Sequence, residues 1–156
     1  MHDRANFSCG VEVLDNYLRH QAGQDVRKRV AVAFVLTPDG KTIAGYYTLS
    51  QYAVELDAIP AVIARKLPKY PLVPTTLIGR LAVSSEFRGQ GLGELLLMDA
   101  LSRCLSGSRQ VASAAVIVDA KDANAAAFYK KFGFIELPDI PNRLLLPMAT
   151  VESLFS

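Results

Sequence analysis

A glycine-rich segment near the middle of the chain has the residue types needed to bind a phosphorylated ligand. It reads Arg88-Gly89-Gln90-Gly91-Leu92-Gly93 and follows an apolar run that ends at Val83. Three glycines let the backbone turn tightly and expose consecutive N–H groups, and a helix opening at the last glycine adds positive potential. The segment predicts a cradle for a pyrophosphate, although such a loop is also compatible with simple turn chemistry.

The spacing of the glycines argues against two nucleotide-binding loops. A dinucleotide loop in register with Gly91 and Gly93 requires glycine or alanine at the position of Leu96. A nucleoside-triphosphate loop requires Gly-Lys-Ser/Thr five residues after Gly89, where the chain has Glu94. A phosphorylated ligand of another class is therefore indicated.

A second segment with chemically useful residues lies downstream, from Asn124 to Phe134. On a helix, Asn124 and Phe128 lie on one face, and Tyr129 lies about 100 degrees further round. This arrangement predicts that Phe128 packs inward while Tyr129 reaches a cleft, with a packed core tyrosine as the alternative.

The apolar pattern predicts the elements that position both segments. Ser8 stands where the N-cap of a first amphipathic helix is expected, and four prolines between positions 58 and 75 favour an extended connection. We expect an α/β fold, an α+β mixed sheet flanked by helices, in a single domain spanning residues 1–156. The predicted strands are Val30–Thr37, Lys41–Ser50, Leu77–Val83, Val111–Val118 and Arg143–Ala149, and the later helices are Ala61–Lys66, Gly91–Ser106 and Ala123–Phe132.

The two segments together resemble the GNAT family of N-acetyltransferases. The glycine loop matches the pattern RxxGxG between a strand and a helix, and the downstream segment is similar to NxxAxxFYxxxGF. The resemblance implies the GNAT fold, acetyl-CoA as acetyl donor, and Tyr129 as the catalytic residue that protonates the leaving thiolate. It also implies cofactor-binding residues, with the Val83 N–H on the thioester carbonyl: Leu81, Ala82, Val83, Arg88, Gly89, Gln90, Gly91, Leu92, Gly93, Asn124 and Phe128.

The acceptor is harder to predict, because the strand Leu77–Val83 contains no carboxylate that could act as a base. The nearest acids, Glu86 and Asp119, lie at strand ends. An α-amino group, with a pKa of ~7.7–8.0, needs less help from a base than a lysine at ~10.4. An α-amine acceptor is therefore favoured.

Further blocks resemble the GNAT toxins of bacterial toxin–antitoxin pairs: Phe7–Gly10, Leu14–Leu18, Gly45–Ser50, Leu67–Pro71 and Gly79–Val83. This resemblance implies acetylation of the α-amino group of aminoacyl-tRNA, a block of translation, a ribbon-helix-helix antitoxin and a homodimer. Only six residues precede Phe7, so we expect the usual first strand of this group to be shortened or absent.

A tRNA substrate requires a basic surface, and local clusters could supply it. The candidate tRNA-contacting residues are Arg27, Lys28, Arg29, Lys66, Lys69 and Arg80. An ordinary solvated surface explains each of these clusters equally well. The net charge of +2 does not by itself indicate a nucleic-acid-binding protein.

Two other functions stay open: an acetyltransferase for a small-molecule amine or a protein N-terminus, and a fold that binds CoA without catalysing a reaction.

Composition further narrows the classes of protein to which the chain could belong. With 51% hydrophobic and 21% charged residues the chain should fold by itself, and its apolar runs are too short to cross a membrane. The two cysteines have no metal-ligand spacing, so we expect no metal site. The first residues lack the apolar run of a secretory signal, so we expect a cytoplasmic protein.

Overall fold

A computed structural model describes residues 2–156, which form six strands and six α-helices. The strands lie in one mixed sheet in the order β1-β2-β3-β4-β6-β5, with helices flanking it, which confirms the predicted fold class. The strands are β1 (Val32–Leu36), β2 (Gly45–Glu55), β3 (Leu72–Val83), β4 (Ala115–Asp119), β5 (Ile135–Glu136) and β6 (Arg143–Pro147). The helices are α1 (Glu12–Asn16), α2 (Ala22–Arg27), α3 (Ala61–Ala64), α4 (Leu92–Ser108), α5 (Ala123–Lys130) and α6 (Met148–Leu154).

The chain divides into two compact units. The first contains the residues up to Ser50 together with Ile78–Ala100, and the second contains Gln51–Leu77 and Leu101–Ser156. Each unit has its own apolar core, the first around Phe7, Tyr46 and Ala82. The core of the second unit includes Ile117 and Leu145, which face each other across β4 and β6. The single domain therefore stays a prediction.

The first helical segment begins later than predicted. Ser8 does not cap it; α1 starts at Glu12 after Val11, with no side-chain cap. Gly10 has φ +86°, a left-handed conformation that cannot continue into a right-handed helix, so the helix starts beyond it. A π-helical turn, Tyr17–Gln21, then joins α1 to α2.

The predicted antiparallel pair is present as β1 and β2, with Val32 opposite Leu49 and Leu36 opposite Gly45. The second strand starts at Gly45 rather than Lys41 because the turn extends further. The carboxylate of Asp39 accepts hydrogen bonds from the N–H groups of Lys41 and Thr42 at 2.9 and 2.6 Å. These bonds occupy the residues that would otherwise open the strand.

Other boundaries differ because tertiary pairing overrides local signals. The strand predicted from Leu77 begins at Leu72, and it includes Pro74, whose carbonyl accepts from the Ala114 N–H at 2.8 Å. A proline lacks a donor but keeps its acceptor, so it can join a ladder on that side. The strand predicted at Val111–Val118 is Ala115–Asp119, and the closing strand ends at Pro147, where α6 follows.

The N-terminal segment makes one isolated parallel bridge, between Asp3 and Thr42. Among the described residues, no helix is long and apolar enough to span a membrane.

Candidate active site

The glycine loop lies in the first unit, between β3 and α4, as predicted. After Val83 the chain passes through a single turn, Ser85–Phe87, and then through Gly89 and Gly91 at φ +77° and +73°. Both are left-handed conformations that side chains rarely adopt, and a Cβ at either position would meet no atom within 4 Å. The backbone is therefore open to a ligand at both glycines.

The main-chain donors of this loop are available for a ligand. Between Gly89 and Gly93, no N–H group donates to another group within residues 2–156. These groups precede or open α4, a helix of 17 residues whose dipole favours negative charge at this end. Alternating left-handed glycines with free N–H groups form an anion-binding concavity, which fits a pyrophosphate.

The arginine that opens the loop is held by the N-terminal segment. Its guanidinium Nη2 donates to the carbonyl oxygen of Cys9, and an added Cβ on Gly10 would lie 2.7 Å from the same nitrogen. Cys9 is placed in turn by the carboxylate of Asp15, which accepts from the Cys9 N–H at 2.8 Å. Sequence analysis missed this link, since no local pattern joins positions 9 and 88.

The end of β3 presents main-chain groups away from β2. The Ser84 N–H donates to the Ala44 carbonyl at 2.8 Å, which fixes the edge that faces β2. Because successive residues of a strand point their N–H groups to opposite edges, those of Leu81 and Val83 face away from β2. Ala82 is buried in the core of the first unit beside Tyr17 and Tyr46.

Helix α5 lies in the second unit. Its N-cap is Asp122, whose carboxylate accepts from the Ala125 N–H at 2.8 Å, and Asn124 is exposed in the first turn. Phe128 is half-buried, whereas Tyr129 is only 6% exposed. Burial is therefore the reverse of the prediction that Phe128 packs inward and Tyr129 reaches out.

Tyr129 nevertheless keeps properties of a proton donor. Its ring packs edge-on against Phe134 and Phe128, with centroids 5.5 and 5.3 Å apart. Within residues 2–156 its hydroxyl has no hydrogen-bond partner, yet the oxygen is not fully enclosed. Burial raises the pKa of Tyr129 to about 12, so the group is protonated at neutral pH.

The acids considered as bases are poorly suited to that role. Asp119 forms a two-pronged pair with Arg143, with N–O distances of 2.7 and 2.9 Å. Glu86 is exposed on the single turn after β3. Asp119 is thus occupied by Arg143 and Glu86 is surrounded by solvent, so an acceptor that supplies its own neutral amine is favoured.

The candidate tRNA-contacting residues fall into two kinds. Five of them are exposed cations without a carboxylate partner among the described residues: Arg27, Lys28, Arg29, Lys66 and Lys69. The sixth, Arg80, is half-buried, and its guanidinium carbon lies 3.6 Å from the centre of the Tyr17 ring. Arg80 is therefore a fixed cation rather than part of a mobile basic patch.

Comparison with known proteins identifies the class. The acetyltransferase (GNAT) domain family matches residues 29–136, so the chain belongs to the GNAT acetyltransferase family. The prediction of a GNAT N-acetyltransferase from the two motifs is confirmed.

The relatives within that family are toxins. The chain is 31% identical to a probable toxin TacT of Sinorhizobium fredii, over 98% of this chain and 89% of the relative. It is 35% identical to a tRNA-acetylating toxin of Mycobacterium tuberculosis, over 97% of this chain and 90% of the relative.

Solved structures of similar proteins agree. AtaT complexed with acetyl-methionyl-tRNA has a TM-score of 0.90 at 32% identity, covering 99% of this chain and 93% of that chain. A tyrosine-to-phenylalanine variant of AtaT, bound to the C-terminus of the antitoxin AtaR and acetyl-CoA, has a TM-score of 0.84 at 29% identity. That match covers 100% of this chain and 92% of the other.

Proposed function

We propose that this protein is a toxin that transfers acetyl from acetyl-CoA to the α-amino group of aminoacyl-tRNA and thereby blocks translation. The observation that carries the proposal is the relation to a tRNA-acetylating toxin along 97% of this chain at 35% identity. An aminoacyl group whose amine is acetylated has lost the nucleophile that forms the next peptide bond. Acetylation of charged tRNA therefore stops elongation without damage to the ribosome.

The residues of the first unit fit acetyl-CoA as the donor. The N–H groups from Gly89 to Gly93 bind its pyrophosphate, with Arg88, Gln90 and Leu92 shaping the loop. The main-chain edge of Leu81–Val83 that faces away from β2 binds the pantetheine arm, and the Val83 N–H donates to the thioester carbonyl, where negative charge develops during attack. In the second unit, Asn124 and Phe128 complete the set of cofactor-binding residues.

The reaction itself requires little from ionisable side chains. The neutral α-amine attacks the thioester carbonyl, a C–N bond forms, the C–S bond breaks, and the surplus proton on nitrogen leaves to water. The ester of an aminoacyl group lowers the pKa of its own α-amine below the ~7.7–8.0 of an ordinary α-amino group, so a substantial fraction is neutral near pH 7 without a base. This agrees with the commitment of Asp119 to Arg143.

Tyr129 is the proposed acid for the CoA thiolate. Its pKa of about 12 exceeds the ~8.5 of an ordinary thiol, so full proton transfer is uphill. We therefore expect its hydroxyl to stabilise the developing thiolate first by a hydrogen bond.

The partners follow from the same relation. A tRNA substrate and an antitoxin are proposed because AtaT has been solved with each. We propose further that the antitoxin is a ribbon-helix-helix protein, that the toxin is a homodimer, and that it works in the cytoplasm, where charged tRNA is used. Copurification with the product of a neighbouring gene, and the mass of the purified protein in solution, test these two assemblies.

The decisive experiment is transfer of radiolabelled acetyl from acetyl-CoA to total charged bacterial tRNA, beside deacylated tRNA. Label on charged tRNA alone is expected. Tyr129→Phe should lose most of the turnover, whereas Tyr70→Phe, at a tyrosine that is 70% exposed, should match the wild type. No label on charged tRNA, with acetyl-CoA still bound, would favour a small amine or a protein N-terminus as acceptor.

A further inference from the structure

Arg80 is held in a way that sets it apart from the other basic residues of the chain. Arg80 and Ala82 share one face of β3, and that face packs against Tyr17 and Tyr46 in the core of the first unit. The guanidinium carbon lies over the Tyr17 ring, 3.6 Å from its centre, within the range of a cation–π contact. The contact places the charge without consuming any of its N–H donors.

The Tyr17 ring is itself held by two groups, one of which is anchored in turn. Its hydroxyl donates to Asp25 Oδ2 at 2.8 Å, its ring stacks on Tyr46 with an interplanar angle of 9°, and Tyr46 donates to the Leu14 carbonyl at 2.7 Å. The π-helical turn that starts at Tyr17 rotates the helix locally. Such turns are rare in proteins, and those that occur are often found at functional sites. The platform under Arg80 is therefore rigid.

The donors of Arg80 are left for a ligand. Within the described part of the chain, the guanidinium makes no hydrogen bond and no ion pair within 4 Å, although it lies close enough to the Asp25 carboxylate for an electrostatic interaction. A planar guanidinium with open N–H groups suits a phosphate, which it can bind with two parallel hydrogen bonds. Because the ring already holds the side chain, less conformational entropy is lost when the phosphate binds.

The position of Arg80 along β3 indicates which phosphate. Arg80 lies three positions before Val83 on β3, about 10 Å between their Cα atoms. If Val83 marks the reacting carbonyl, as the proposed function requires, the Arg80 side chain starts about one nucleotide from the attacking amine. In an aminoacylated 3′ end, the nearest phosphate to that amine is the 5′-phosphate of the same terminal adenosine.

We propose that Arg80 binds the 5′-phosphate of the terminal adenosine of the charged acceptor end, and that Tyr17 is the positioning residue that holds Arg80 there. This inference depends on the proposed aminoacyl acceptor. Arg80 thus makes one defined contact next to the reacting amine. Long-range electrostatic attraction to the rest of the tRNA comes from Arg27, Lys28 and Arg29.

The test uses two small acceptors, adenosine with an amide-linked 3′-aminoacyl group, made with and without a 5′-phosphate. For the wild type, kcat/KM should be about ten- to hundredfold higher with the phosphate, the range of one charge-assisted hydrogen-bonded pair. Arg80→Gln should reduce that ratio to about one, whatever its effect on the rate for the acceptor without phosphate. Arg109→Gln, at an exposed arginine outside the site, should keep the full ratio.

The positioning role of Tyr17 has its own readout. Tyr17→Phe keeps the ring under Arg80 and should keep most of the phosphate ratio, whereas Tyr17→Leu should reduce it severalfold. Arg80→Lys, which keeps the charge but loses the planar stacking group, should give an intermediate ratio, and it carries the test if Tyr17→Leu does not fold.

Three results would overturn the inference while leaving the proposed function intact: equal rates for the two acceptors in the wild type, an undiminished ratio in Arg80→Gln, or a full ratio in a folded Tyr17→Leu. The affinity of each variant for CoA separates the two sources of phosphate, and a loss of CoA binding in Arg80→Gln would assign the residue to the donor instead. If neither the small acceptors nor charged tRNA are acetylated by the wild type, the proposed function itself fails.

Discussion

The guanidinium of Arg88 donates a hydrogen bond to the carbonyl oxygen of Cys9, which ties the start of the glycine loop to the segment before α1. The residue between them in space is Gly10, at φ +86°, where an added Cβ would lie 2.7 Å from Arg88 Nη2. A side chain at position 10 would therefore displace the end of the arginine from its present place on Cys9. The geometry of the loop therefore depends on a glycine 78 positions earlier in the chain.

Gly10→Ala is expected to weaken the affinity for acetyl-CoA by about tenfold, the scale of one charge-assisted hydrogen bond, because Arg88 must leave Cys9. The left-handed backbone should also lower the free energy of unfolding by about 1–2 kcal/mol. Titration calorimetry and denaturant unfolding measure the two effects.

Gly40→Ala is the matched control, since Gly40 has φ +81° and open space around it. It should show the stability loss but bind acetyl-CoA normally. Equal affinities in the two variants would contradict the role of the Arg88 contact.

Gly91→Ala should damage ligand binding more than its own fold. Its Cβ would meet no protein atom within 4 Å, so the side chain would project into the space where a phosphate approaches the loop. We expect the affinity for acetyl-CoA to fall by tenfold or more, with a stability loss close to that of Gly40→Ala. An unchanged dissociation constant would show that the phosphates lie elsewhere.

Tyr129 should make the protein less stable in strong alkali. Burial raises its pKa from ~10 in the unfolded chain to about 12 in the folded one. The unfolded state therefore ionises first, and the stability present below about pH 10 is lost as the pH rises towards 12. Tyr129→Phe removes this group, so its free energy of unfolding should fall less steeply between pH 10 and 12 in denaturant titrations.

Other groups contribute to the same alkaline window, because burial also raises the pKa of Tyr17 and of Cys104 to about 12. The variant should consequently retain part of the slope. Tyr70→Phe, at an exposed ring, should keep all of it, and identical slopes for Tyr129→Phe and wild type would refute the burial argument.

Reversing the charges of Arg27, Lys28 and Arg29 to glutamate should weaken the binding of charged tRNA and lower its salt dependence. The slope of log K against log salt should decrease by about one for each cation that contacts a phosphate. The small acceptors should react as before. Filter binding between 50 and 200 mM salt measures the effect.

The control reverses three exposed cations outside the proposed surface, Lys41, Arg109 and Lys121, and thus has the same net charge. If both triple variants lose the same affinity, net charge alone acts, and the Arg27–Arg29 patch has no specific role.

Prediction from the sequence succeeded where one local signal dominated. Three elements were predicted in the correct places: the α4 helix, the β1–β2 pair and the α5 helix. Apolar periodicity located α4, turn residues located the β1–β2 pair, and Gly133, at φ +97°, marked the end of α5. It failed where pairing decided the outcome: Pro74 reads as a breaker but lies in β3, and the two residues of β5 are a strand only because β6 lies beside them.

The sequence by itself determined the class of protein, since the glycine loop and the Asn124–Phe134 segment are short local motifs whose chemistry resides in residue type and spacing. The placement of individual side chains was decided only by the tertiary structure. Arg80 looks like any surface cation until β3 brings it over Tyr17, and Arg88 like any loop arginine until Gly10 lets it reach Cys9. Contacts between positions about 60 and 80 residues apart depend on packing, and local residue preferences do not encode packing.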